Sequence, residues 1–150
     1  MPSPRPSPFA DDGARGDRRA FSDTAVRTAS QARRAVSRVL VGAGPVHATA
    51  EADAHLAATE LVTNAIRHAG GVTGFETRIE ECGGLLRIAV EDADPRHPRT
   101  DRAALHDFGT LGGRGWAIVR ELAATCTVQT LPAGGKRITV TLPLTDRTAT

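Results

Sequence analysis

Two stretches of the chain repeat their hydrophobic residues every three to four positions. Val26, Ala29, Ala32 or Arg33, Val36, Val39 and Leu40 form one such series, which predicts an amphipathic helix starting near Thr24 with Ser22 or Asp23 as its cap. Gly42, Gly44 and Pro45 break it. An alanine-rich second helix is predicted over 47–69, ending at Ala69-Gly70-Gly71, where a left-handed cap is expected. The period then falls to two. Phe75 to Glu81 and Leu85 to Glu91, joined by Glu81-Cys82-Gly83-Gly84, predict an antiparallel hairpin. Residues 92–113 have no period, and about 20 residues without secondary structure in a compact domain suggest a lid or binding loop. A helix over 114–124 follows, then strands over 125–131 and 137–144 around Pro132-Ala133-Gly134-Gly135. The order ααββαββ implies an α/β fold of the α+β sandwich type, a mixed and mostly antiparallel sheet with helices on one face.

Composition narrows the function classes. A length of 150 residues suits a single domain, and a hydrophobic share of 40% with 24% charged residues suits a folded one. Residues 1–21 carry prolines at 2, 4, 6 and 8 among mixed charges and read as a disordered tail; 22–144 read as the folded domain and 145–150 as a short C-terminal tail. No apolar run approaches the roughly 20 residues of a membrane helix. The N-terminal residues lack the apolar core of a secretory signal, so a cytoplasmic protein with no membrane partner is expected. Cys82 and Cys126 read as small buried hydrophobes with reduced thiols. With 19 basic and 17 acidic residues the net charge is +2, and the only aromatics are four Phe and Trp116. Neither a global field nor stacking platforms favour direct nucleic-acid binding. Arg27, Arg34 and Arg38 are expected on the solvated side of the first helix. Lys136 is the sole lysine.

Three segments carry chemistry. On a helical wheel at about 100° per residue, Glu60, Thr63, Asn64, Arg67 and His68 lie on one side and Leu61, Val62, Ala65 and Ile66 on the other. A carboxylate, a carboxamide and an imidazole then line one edge, about 6 Å apart along the axis. A carboxamide oxygen suits a hard cation such as Mg²⁺, and a carboxylate one turn away could orient or deprotonate a nucleophile; the plainer alternative is a wet polar stripe. In the second segment an apolar strand, Arg87 to Val90, runs into Glu91, Asp92 and Asp94. A carboxylate there could accept from an exocyclic amine, or simply form a turn before Pro95. In the third, Gly112, Gly113 and Gly115 precede or open a helix, where bare backbone amides favour an anion. A hinge is the alternative, and no Gly-Lys-Ser/Thr follows to make a Walker loop.

Together these segments resemble the GHKL family of histidine kinase-like ATPases with the Bergerat-type fold, most closely its stand-alone anti-sigma factor serine/threonine kinases. ELVTNAIRHA, residues 60–69, is similar to the family's N box, and the resemblance runs over about residues 22–144. It implies a Bergerat-type ATP-binding fold, with ATP and Mg²⁺ as cofactors. It further implies that Glu60 is the general base and that Asn64 coordinates Mg²⁺ on the ATP phosphates. His68 would add a structural or phosphate-side hydrogen bond. Asp92 would hold the adenine amine, and Gly113, Arg114 and Gly115 would line the phosphates under a lid at about 95–112. The family's adenine-side threonine after the last hairpin has Arg137 at the matching position, with Thr139 on the same face as its substitute. Asp94 stands where relatives place a small residue.

The resemblance implies an ATP-dependent serine/threonine kinase acting on an anti-anti-sigma-like protein and sequestering a sigma factor, with a homodimer as its oligomeric form. A nucleotide-responsive binding module with little or no kinase activity is the alternative, motivated by Arg137 and Asp94. A scaffold that has lost nucleotide binding would not be expected to keep Glu60, Asn64, Asp92, Gly113 and Gly115 together.

Overall fold

A computed structural model of the chain describes residues 20–22, 26–80, 84–98 and 113–145. Strand β1 spans Ala20–Ser22, helices α1 and α2 span Ala29–Val41 and Ala50–Ala69, and strands β2 and β3 span Val72–Ile79 and Leu85–Asp92. Helix α3 (Gly113–Leu122) and strands β4 (Thr125–Thr130) and β5 (Lys136–Pro143) complete the fold. The five strands form one sheet in the order β1-β2-β3-β5-β4, and each pairing is antiparallel.

Alternation along the strands decides which way the sheet faces. Phe75, Thr77 and Ile79 of β2, Leu86, Ile88 and Val90 of β3, and Ile138, Val140 and Leu142 of β5 are buried. All of these but Thr77, which is polar, join Ala32, Val36 and Val39 of α1 and Ala54, Ala58, Leu61 and Val62 of α2 in one core. Side chains one position off face away from the helices, because neighbours on a strand point to opposite sides. The two-layer arrangement expected from the hydrophobic pattern is therefore present, with helices on one face of an antiparallel sheet. The third helix packs on α2.

Helix α1 starts later than the sequence pattern suggested. Ser22 belongs to β1, which pairs with Glu76 to Arg78 of β2, and Asp23 lies outside the described residues. The cap is Thr28. Its hydroxyl accepts from the Gln31 N–H at 3.2 Å, while the Gln31 side-chain oxygen accepts from the Thr28 N–H at 3.1 Å. This reciprocal box satisfies two amides that the helix itself leaves unpaired. Strand β1 takes in two residues that the sequence had assigned to the N-terminal tail; residues 1–19 of that tail, and 146–150 at the other end, lie outside the described residues.

Helix α2 ends where its glycines indicated. Gly70 adopts φ 76°, and the Gly71 N–H reaches back to the Ala65 carbonyl at 3.0 Å. Its polar face carries the candidate stripe, but Ile66, expected on the packed side, is 49% exposed. Arg34 and Arg38 lie exposed on α1 and Arg27 just before it, as their spacing suggested, whereas Arg33 donates to Thr59 Oγ1 of α2 at 3.0 Å. No helix among the described residues is long and apolar enough to cross a membrane.

Candidate functional site

The site is built on α2, whose C-terminal half carries the polar stripe and which packs on both β3 and α3. Glu60 and Asn64 are half-buried and one helical turn apart on α2. The Glu60 carboxylate lies directly against Gly115 in the first turn of α3, so that a Cβ on Gly115 would collide with its Oε2. Glycine at 115 thus leaves room for that carboxylate against the first turn of α3. A carboxylate beside the first turn of a helix is also favoured by the helix dipole and by unpaired backbone N–H groups. Gly113 opens α3 and Arg114 follows it.

Asn64 and Glu60 offer only oxygen ligands on one helix edge, and no group of three or more His, Cys, Asp or Glu among the described residues could hold a metal. That donor set fits Mg²⁺, which accepts one or two protein oxygens and takes the rest from phosphate and water. Asn64 would hold the ion there, and the ion would supply neutralising charge to phosphate oxygens. The first turn of α3 leaves backbone N–H groups without partners inside the helix, which fits phosphate.

The base end of the site differs from its sequence-derived picture. Asp92 ends β3 at 3% exposure, flanked in register by Val72 and Lys136. Its Oδ1 accepts from Lys136 Nζ at 3.0 Å and from the Asp94 N–H at 2.9 Å. The lysine is 1% exposed and also donates to the Asp94 carbonyl at 2.9 Å. The residue facing Asp92 is therefore Lys136, not Arg137. Arg137 sits one rung away opposite Glu91 and pairs with it at 2.8 Å on the sheet face turned from the helices. Thr139 points the same way as Arg137, lies opposite Ala89, and lends its carbonyl to Thr127 Oγ1 at 3.4 Å. The fold does not bring it to Asp92. Lys136 could have been read from the alternation of β5, which sets it in line with buried Ile138, Val140 and Leu142; a lysine at an inward position calls for a partner.

Asp94 is neutralised locally. Its carboxylate takes Arg96 Nη2 at 2.5 Å and Nε at 2.9 Å, and these bonds hold its pKa down at about 2. The stretch 93–98 has no regular structure, and the remainder of the expected lid, 99–112, lies outside the described residues, as does Cys82. Cys126 is half-buried against the core, and burial pushes its thiol up, which makes it a poor nucleophile.

His68, one turn beyond Asn64, has its pKa lowered from 6.5 by burial first, then by Arg67, Arg96 and Lys136 against the opposing pull of Asp94. The ring is thus a neutral hydrogen-bonding group at pH 7 rather than a cation. With the folded value below the unfolded one, the unfolded chain binds the proton more readily. This contribution to stability is complete above pH 6.5 and is lost as the pH falls below it. His68→Gln is expected to flatten the loss of stability as the pH falls below 6.5. Urea denaturation of both proteins across that range measures it, and identical slopes would contradict the assignment.

Comparison with known proteins adds to this geometry. No curated protein matches the chain. Among solved structures, the histidine kinase domain of the blue-light activated histidine kinase EL346 from Erythrobacter litoralis is similar, at 22% identity and a TM-score of 0.48. The match covers 82% of this chain and 64% of that one, so the chain spans a little under two thirds of that domain's length. The model of the histidine kinase-like ATPase domain matches residues 22–142. A match over most of the chain places this protein in that family: it belongs to the histidine kinase-like ATPase domains.

Proposed function

We propose that this protein is an ATP- and Mg²⁺-dependent regulatory kinase of the anti-sigma factor type, which transfers phosphate to a serine or threonine of a small anti-anti-sigma-like protein. The observation that carries the reading is the placement of Glu60 and Asn64 one turn apart on α2 with the Glu60 carboxylate against Gly115 of α3. A carboxylate set against a glycine-opened helix start then has a carboxamide suited to a metal one turn away. Glu60 would draw the proton from the attacking hydroxyl, Asn64 would hold Mg²⁺, and the α3 amides would receive phosphate oxygens. Phosphoryl transfer depends mainly on such positioning and charge stabilisation. A sigma factor as a further partner, a homodimer and a cytoplasmic location belong to the same proposal.

A second reading, a nucleotide-responsive binding module with little transferase activity, is favoured by one specific observation: Asp92 is already engaged by Lys136. Incubation of the purified protein with labelled Mg-ATP and candidate anti-anti-sigma-like proteins separates the two. Label on serine or threonine that Glu60→Ala abolishes supports the kinase. Nucleotide binding without transfer to any such protein supports the binding module.

A further inference from the structure

We propose that Lys136 determines specificity at the base end of the site: it competes from within the protein for Asp92, so that ATP binds weakly and the base is read loosely. The inference rests on the nucleotide-binding reading above. The ammonium stands 3.0 Å from Asp92 Oδ1, the distance at which an exocyclic amine would hydrogen-bond to that oxygen. The same Oδ1 also accepts the Asp94 N–H at 2.9 Å; Oδ2, with no donor among the described residues, is the acceptor left to an amine, and it belongs to a carboxylate whose charge the ammonium already balances. A neutral amine does not displace the lysine from Oδ1, because a hydrogen bond in which both partners are charged is stronger than one from a neutral donor, and at Oδ2 it meets a carboxylate that the ion pair has weakened as an acceptor.

The lysine is held in place. Its third contact, to the Asp94 carbonyl at 2.9 Å, ties it to the chain leaving β3, and both members of the pair are almost wholly buried. Buried opposite charges stay together because separating them leaves each one desolvated and unpaired. Gly135, immediately before Lys136, packs against the Asp92 carbonyl, and the ladder pairs Asp92 with Lys136, so the two strand ends are held side by side. A purine with oxygen in place of the 6-amino group therefore loses little at Asp92 relative to adenine.

The test is calorimetric titration of the full chain with Mg-ATP, Mg-ITP and Mg-tripolyphosphate. Wild type is expected to bind ATP and ITP within about threefold of each other. Lys136→Thr, a short neutral residue suited to a strand, is expected to bind ATP about tenfold or more tighter than wild type and to favour it over ITP by a similar factor. Lys136→Met, which keeps bulk beside Asp92, should show the same gain in preference if the threonine variant fails to fold, and the wild-type ratio needs no variant. Wild type preferring ATP over ITP by about tenfold, or a ratio unchanged by removing the lysine, overturns the role of Lys136. If tripolyphosphate binds while that ratio stays fixed, only this inference falls. If no ligand binds any form of the protein, the nucleotide-site reading falls, and the inference with it.

Discussion

Glu60→Gln is expected to lower ATP-dependent phosphate transfer by about a hundredfold or more while leaving Mg-ATP affinity within about threefold, since a positioned general base contributes on that scale. The amide keeps the size of the side chain and its place beside Gly115, so the helix approach survives and the lost property is the ability to take a proton. Asn64, one turn on, is untouched, so its proposed contact with the metal is kept. The check is a single-turnover transfer assay paired with calorimetry. Equal losses in rate and affinity would make Glu60 a binding residue, and an unchanged rate would remove it from the chemistry.

The second large effect lies in the backbone beneath Asp92. Gly135 has φ 84°, and a Cβ there would run into the Asp92 carbonyl and come within 3.1 Å of Ala93 Cα. Strain in the left-handed region and a clash with backbone that cannot rotate away act together. Gly135→Ala is expected to cost about 3 kcal/mol or more of stability. Gly134→Ala is the control: φ is 98°, but a Cβ would meet nothing within 4 Å, so only the backbone strain remains. Its cost should be about 1 kcal/mol. Urea titration of both variants measures the gap. Equal losses would mean that the approach of β5 to the end of β3 is looser than the contact with Asp92 requires.

The legible parts of this fold were those with a strong local signature. The stripe from Glu60 to His68 follows from helical geometry, the α2 stop from Gly70, and the sheet's inward face from alternation in β3 and β5. Strand β1 was not legible, since its three residues owe their conformation to pairing with β2 rather than to any pattern of their own. The α1 start was misplaced although the capping-box signature Thr28-Ala-Ser-Gln31 is present in the sequence. Ser22 competed with it because apolar spacing alone does not mark where a helix begins. Ile66 was misplaced because a wheel divides a helix into two halves, while neighbouring elements cover only part of the apolar half.

The base end shows the same limit in its chemistry. Asp92 was identifiable as a carboxylate at a strand end, but its partner depends on strand register, which one residue of slip changes from Lys136 to Arg137. The two residues point to opposite faces of the sheet. Asp94, which stands where relatives place a small residue, is paired with Arg96 two residues later.

The central claim is that Mg²⁺ and ATP occupy the junction of α2 and α3. Trp116, the sole tryptophan, follows Gly115 directly, is 5% exposed, and has an Nε1 without a hydrogen-bond partner among the described residues. Its emission should respond to events at the start of α3. The most direct measurement is fluorescence of Trp116 during ATP titration with and without Mg²⁺, in wild type and Asn64→Ala, with calorimetry alongside. The account predicts a saturable response that Mg²⁺ strengthens and that Asn64→Ala abolishes. No response and no heat at millimolar nucleotide, or a response indifferent to both Mg²⁺ and Asn64, would contradict it.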